Sequence, residues 1–131
     1  MPEATVSVTY NSGGWHDIEH SVVKPDGVFR ILVLGDSFME AYSVELQDAF
    51  HSRIEELART AGRETEVINL GVASYGTLQE YMVFRDIGRL YEPDLVLLGF
   101  FVTNDVMNNS LELETRSYKW ECPPCQPGKP C

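Results

Sequence analysis

Residues 29–37 read FRILVLGDS, a largely apolar run that Gly35 stops and that Asp36 and Ser37 follow. A run of this kind is typical of a strand that is covered on both faces, as in a parallel sheet. Residues 66–71 (EVINLG) and 94–101 (DLVLLGFF) have the same form. The sequence therefore predicts three buried, parallel strands.

Two segments with helical periodicity separate these runs. Residues 46–61 place apolar side chains at three- and four-residue steps, and Gly62 is positioned to end the helix. Residues 77–80 (TLQE) have the form of a capping box made by Thr77 and Glu80, which opens a second helix that ends before a proline. The order strand, helix, strand, helix, strand predicts an α/β fold with right-handed crossovers.

The remaining segments of the first 110 residues give weaker signals. Residues 5–10 (TVSVTY) alternate and contain β-branched side chains, which predicts a short edge strand. Residues 15–28 are charged and contain proline and glycine, which predicts a solvated surface connection. His51 lies on the first helix, where we expect it to face solvent.

Length and composition limit the classes of function. The chain has 131 residues, enough for one domain, and a net charge of −10, which argues against nucleic acid or an anionic membrane as partner. No signal peptide and no apolar run long enough to span a membrane is visible, so the localisation stays open. Doubly wound sheets usually have five or six strands, so the expected domain, residues 1–110, reads as incomplete at its C-terminus.

Residues 111–131 are rich in proline and contain all the cysteines, Cys122, Cys125 and Cys131. The prolines exclude a packed element, so we expect a disordered tail. Three thiols without a nearby histidine do not complete a structural zinc site, and no metal or other cofactor is expected. An adventitious disulfide within the tail is the alternative that remains for these cysteines.

Polar residues follow each of the three predicted strands. They are Asp36 and Ser37 after the first strand, residues 69–71 (NLG) after the second, and residues 103–105 (TND) after the third. Ligands of open α/β sheets bind beyond the carboxyl ends of the strands. We therefore expect the three clusters to meet in one crevice.

These clusters lie in three stretches, RILVLGDSFMEA, NLGVASYGT and GFFVTND, that resemble the first three sequence blocks of the SGNH (GDSL-type) hydrolases. The blocks stand in family order and cover residues 28–110. The resemblance implies a flavodoxin-like, three-layer parallel sheet and a serine esterase or acyl hydrolase that acts on an ester of a sugar or lipid. A flavin or nucleotide site is disfavoured because few basic residues lie near the crevice.

The resemblance also implies roles for single residues. Ser37 would be the nucleophile, while the Gly71 N–H and the Asn104 amide would stabilise the oxyanion. Asp36 and Asp105 would support these groups. The alternatives are purely structural roles: Gly71 would be a turn glycine, and Asn104 and Asp105 would only cap a strand or helix end.

The general base of the family is missing. The family takes an Asp-x-x-His from a C-terminal loop, whereas the histidines here, at positions 16, 20 and 51, all precede the second block. Asp17 and His20 have the right spacing but lie upstream of Ser37, so they could act as the base only where the N-terminal segment folds back over the strand ends. The alternative function is a catalytically silent module that binds glycan or protein and self-associates through an exposed sheet edge.

Overall fold

A computed structural model of the protein describes residues 5–110 and 112–113. Three strands form one sheet: β1 (Phe29–Gly35), β2 (Thr65–Asn69) and β3 (Leu95–Gly99). All pairs are parallel and the order is β2-β1-β3, so the strand formed by the FRILVLG run is central. The predicted three-stranded parallel α/β fold is confirmed.

Helices connect the strands. Within the described part they are α1 (Ser37–Glu40), α2 (Phe50–Thr60), α3 (Thr77–Asp86), α4 (Asn104–Asn108) and the 3₁₀ helices Leu46–Asp48 and Gly88–Tyr91. The helix predicted over 46–61 is divided at Ala49, whose backbone is extended and whose side chain is fully buried. The short helix α4 was not predicted.

The core has two halves, one on each face of the sheet. Alternate side chains of β1 point to opposite faces, which explains why its apolar run is continuous. On one face Ile31 and Val33 pack with Phe50 and Ile54 of α2. On the other face the core contains Leu32, Leu34, Ile68 and Leu70, against which Val83 and Phe84 of α3 pack.

Carboxylates satisfy the outer edge of β2. The backbone N–H of Val67 donates to Glu55 Oε2 at 3.1 Å, and the N–H of Asn69 donates to Asp17 Oδ2 at 2.7 Å. A further strand cannot pair where these N–H groups are already bonded. The strand predicted over residues 5–10 is wrong: this segment is not in a sheet, and side chains such as Tyr10, whose hydroxyl donates to Glu40, attach it instead.

Two expectations about solvent exposure are wrong. The segment predicted as a solvated connection buries His16 and Asp17, which are 1% and 6% exposed, because it packs along the edge of β2. His51 is 1% exposed and faces the same segment rather than solvent.

The capping box predicted for Thr77 and Glu80 is also wrong. The N-cap of α3 is Gly76, whose N–H donates to Oε1 of Gln79 at 3.2 Å. Thr77 is already the first helical residue, and its buried hydroxyl has no partner in the described part of the chain. Only the Gln79 half of such a box is present, one residue earlier, because Gly76 has no side chain, and Glu80 is free of a capping role.

Glycines at the strand ends form a seat for Met39 of α1. A Cβ added to Gly99 would lie 2.5 Å from Met39 Sδ, and one added to Gly71 would lie 2.7 Å from Met39 Cβ and Glu40 N. A Cβ at Gly35 would also overlap the Met39 side chain. Only glycines allow α1 to approach the sheet this closely.

The predicted proline- and cysteine-rich tail, residues 111–131, lies outside the described residues except for 112–113. Among the residues described, no helix has the length and apolar character needed to cross a membrane.

We predict that Gly71→Ala destabilises the protein by about 2–3 kcal/mol, because the new methyl group overlaps backbone atoms of α1 that cannot move independently of the sheet. Gly27→Ala is the matched control. Gly27 has a positive φ of 78° but open space around its Cβ position, so its substitution should cost only about 1 kcal/mol. Urea unfolding measures both values, and equal losses would contradict the close-packed seat.

Candidate functional site

Ser37 lies at the carboxyl end of the central strand, where the sequence predicts a ligand crevice. Asp36 is the N-cap of α1, because its carboxylate accepts a hydrogen bond from Phe38 N at 3.0 Å. Ser37 is therefore the first helical residue, and its side chain is not needed as a cap. The half-buried Ser37 forms part of the wall of a cavity of about 390 Å³.

Three buried carboxyl groups are close enough to influence one another at this end of the sheet. Asp36, Glu80 of α3 and Asp105 of α4 are each at most 1% exposed. Burial, together with the charges of Asp105 and Asp36, raises the pKa of Glu80 from 4.5 to about 7. Neither oxygen of Glu80 has a hydrogen-bond partner among the described residues. Glu80 is thus half-neutral near pH 7, which limits the negative charge of the group.

Asn104 and Asp105 begin α4, directly after β3 and a short loop. The carboxylate of Asp105 accepts a hydrogen bond from Phe101 N at 2.6 Å, which closes this loop. Burial raises the pKa of Asp105, and the hydrogen bond from Phe101 opposes that shift. Asn104 is half-buried, and its Oδ1 lacks a partner in the described part of the chain.

Contacts join the end of β3 to α1. The rings of Phe38 and Phe101 lie 4.9 Å apart, so the segment before Asn104 packs against the segment that carries Ser37. The predicted site residues that follow β1 and β3 are therefore on neighbouring segments. The oxyanion role of Asn104 stays a prediction.

Gly71 also lies next to α1, but its backbone N–H is occupied. It donates to Asn69 Oδ1 at 3.1 Å, while Asn69 Nδ2 donates to Met39 O at 2.8 Å. Gly71 could serve as an oxyanion donor only after this N–H left Asn69. Its close approach to Met39 explains the glycine without any catalytic role.

The candidate base, His20 with Asp17, lies along the outer edge of β2. His20 Nε2 is 3.1 Å from Asp17 Oδ2, so the predicted pair is in contact. However, His20 Nδ1 lies 2.8 Å from Glu66 Oε1, and Asp17 accepts from Asn69 N. Ser37 follows the central strand instead, and no histidine of the described residues hydrogen-bonds to its side chain.

His20 and His51 both lie beside Asp17, a cluster that the sequence does not reveal, whereas His16 Nδ1 lies 2.8 Å from Glu40 O of α1. Burial lowers the pKa of His20, but hydrogen bonds to Asp17 and Glu66 outweigh it and leave this pKa raised. Burial lowers the pKa of His51, whose Nε2 is 3.7 Å from Asp17. Among the described residues, no group of three or more histidine, cysteine, aspartate or glutamate side chains is arranged so that it could hold a metal ion.

Sequence reasoning missed Glu80 as a member of the site, because its position in TLQE suggested a helix cap. It also missed Glu40, which is buried and accepts hydrogen bonds from Tyr10 and from Ala73 N. The sequence did contain a signal for both glutamates, namely their positions on the helices that follow β1 and β2. Glu40 lies in α1, directly after β1, and Glu80 lies in the first turn of α3, the helix that follows β2.

We predict that Glu80→Gln stabilises the protein at about pH 8 by about 1–2 kcal/mol and has little effect near pH 4. A carboxyl whose pKa is higher in the folded protein, about 7 against 4.5, adds stability below pH 4.5. That contribution disappears as the pH rises through 7. Urea unfolding at both pH values tests this, with exposed Glu64→Gln as control. A gain that is the same at both pH values would contradict a buried carboxyl held partly neutral.

Similarity to known proteins adds nothing to this geometry. Comparisons of the chain with protein-family models, with curated proteins and with solved structures found no match. The SGNH resemblance of the three sequence blocks therefore stays a prediction, and the functional proposal depends on the contacts of the site.

Proposed function

We propose that the chain carries the nucleophile of an SGNH-type serine esterase or acyl hydrolase. The observation that carries this proposal is the position of Ser37. It follows the central parallel strand, Asp36 relieves it of capping, and it forms part of a cavity wall of suitable size for a small acyl group. A serine that only capped a helix would not need this arrangement.

In the proposed reaction, Ser37 Oγ attacks the carbonyl carbon of an ester while its proton passes to a base. The tetrahedral intermediate then expels the alcohol, which receives a proton, and leaves an acyl-serine that water hydrolyses. The Ser37 N–H and the Asn104 side-chain amide are the candidate donors to the oxyanion, each contributing about 3–4 kcal/mol when well aligned. Gly71 would join them only by giving up its bond to Asn69.

The acidic neighbours have a supporting role in this proposal. Asp36 fixes the first turn of α1, and Asp105 fixes the loop that precedes Asn104. Neither carboxylate is needed as a nucleophile. No base contacts Ser37 in the described part of the chain, so attack by its neutral hydroxyl is slow.

We predict little or no turnover of p-nitrophenyl acetate by the chain alone, with a rate within about threefold of Ser37→Ala. Rapid p-nitrophenol release that depends on Ser37 would show that a base reaches it and would contradict the prediction. Slow acetylation should still occur first at Ser37, and imidazole in the buffer should speed it. Peptide mass spectrometry locates the acetyl group, with Ser52→Ala as a control that leaves the result unchanged. Acetylation no faster at Ser37 than at exposed serines would overturn the proposed function.

A second candidate is a silent binding module that associates through the edge of β3. Two outward N–H groups of β2 are bonded to carboxylates, so β3 is the better edge for pairing in the described part of the sheet. Leu95, Val96 and Leu98 are 42%, 38% and 47% exposed, although they belong to a strand. Exposed apolar strands at a sheet edge favour association.

For this candidate we predict concentration-dependent dimerisation in about 0.15 M salt, where repulsion between chains of charge −10 is screened. Leu98→Lys should abolish it by placing a charge on the β3 surface. Leu57→Lys on α2, which changes a leucine that is 68% exposed, should leave it intact. Sedimentation velocity distinguishes the outcomes, and a monomer at all concentrations would exclude association through β3.

A further inference from the structure

The cavity beside Ser37 has a composition that restricts what it can bind. Its volume is about 390 Å³. Most of its wall consists of apolar side chains and rings, and the full set of lining residues is Ser37, Phe38, Ala41, Tyr42, Ser43, Val44, Asp48 and Phe50. A mainly apolar hollow with a few polar groups is the usual form of a small-molecule site.

No lysine, arginine or histidine belongs to this lining, and its one ionisable acid is Asp48. The buried carboxyls Asp36 and Asp105 lie at the same end of the sheet and add negative charge. An anionic group in the cavity would therefore be desolvated without a partner and repelled. The lining therefore favours uncharged, apolar ligands over carboxylate- and phosphate-bearing ones.

Of the two serine hydroxyls in the cavity wall, that of Ser37 belongs to the proposed nucleophile. It is at the start of α1, while the apolar groups come from α1 itself, from the segment after it and from α2. A ligand that places an electrophilic carbon at Ser37 would thus direct its apolar part toward Tyr42, Val44 and Phe50. This geometry orients an ester with its acyl chain inward.

We propose that this cavity binds the acyl part of the ester, and that the acyl part is an uncharged straight chain of about four to eight carbons. The inference deepens the proposed function and rests on it. The chain length follows from volume. A group the size of a water molecule occupies about 30 Å³, so 390 Å³ would hold about a dozen such groups if filled, and fewer because the cavity is open on one side.

The test uses N-methyl amides of butanoic, hexanoic and octanoic acid, which mimic the acyl group and are not hydrolysed. Binding to the full chain is measured by ¹H–¹⁵N NMR titration. Affinity should rise about fourfold for each added methylene, with the largest shifts at residues 41–44. Octanoate should bind at least about tenfold more weakly than N-methyloctanamide, since the lining offers it no cation.

Two variants test the location. Ser43→Trp fills the cavity from an exposed position and should abolish binding, while Tyr42→Ala removes a wall and should weaken it about fivefold to tenfold. Tyr81→Ala, which removes a similarly exposed tyrosine outside the cavity, is the matched control and should bind normally. Unchanged binding in both cavity variants would overturn the inference.

The amide titration and the acetylation of Ser37 test the two proposals separately. Acetylation of Ser37 without dependence of amide binding on chain length would overturn the acyl cavity alone. Binding that depends on chain length, but with no acylation of Ser37 even in imidazole, would overturn the proposed function and with it the identification of the occupant as an acyl group. Ser37→Ala should retain amide binding within about threefold, because the apolar contacts remain.

Discussion

The packing of Met39 against glycines at the ends of all three strands determines where α1 lies at the carboxyl ends of these strands. Gly35, Gly71 and Gly99 leave no room for a Cβ beside this side chain. Helix α1 therefore rests on the sheet itself, with Asn69 Nδ2 bonded to Met39 O at 2.8 Å. Because Ser37 belongs to the single helical turn that Met39 attaches to the sheet, the position of Ser37 is fixed as well. Glycine at each strand end thus has a packing explanation that does not require catalysis.

Two parts of the molecule differ in whether a buried ionisable side chain has hydrogen-bond partners. Near the amino ends of β1 and β2, Arg30 is fully buried but bonds to Glu66 and to the carbonyls of Ser21, Val22 and Tyr91. Such a network is satisfied and has no reason to bind anything further. At the carboxyl ends, Glu80 is almost as buried, but its carboxyl oxygens have no hydrogen-bond partner among residues 5–110 and 112–113. A buried carboxyl without a hydrogen-bond partner and with a strongly raised pKa is more typical of functional sites than of a structural network.

The strands and the two main helices could be predicted because their signals are local. Apolar runs stopped by glycine predicted β1, β2 and β3, and the spacing of residues 46–61 predicted α2 apart from its break at Ala49. The errors concern contacts distant in sequence. His51 is buried because Asp17, far before it in the chain, packs against it, and no pattern around His51 encodes that. The prediction of the capping box failed because α3 begins one residue earlier than expected, with Gly76 as N-cap and Gln79 as its partner, so Glu80 is not at the capping position.

Under the proposed function, the acidic surroundings of Ser37 also restrict which base could activate it. A base that gains positive charge on accepting the proton would be stabilised by Asp36, Asp105 and the ionised fraction of Glu80. A carboxylate placed there would instead add a fourth negative group to the crevice before it accepted the proton. Glu80 itself is a poor substitute, because it makes no hydrogen bond to Ser37 and holds part of its own proton near pH 7. For the proposed nucleophile Ser37, the electrostatics of this end of the sheet therefore favour an imidazole as the base, although His20 and His51 lie beside Asp17 and His16 lies against Glu40 O instead.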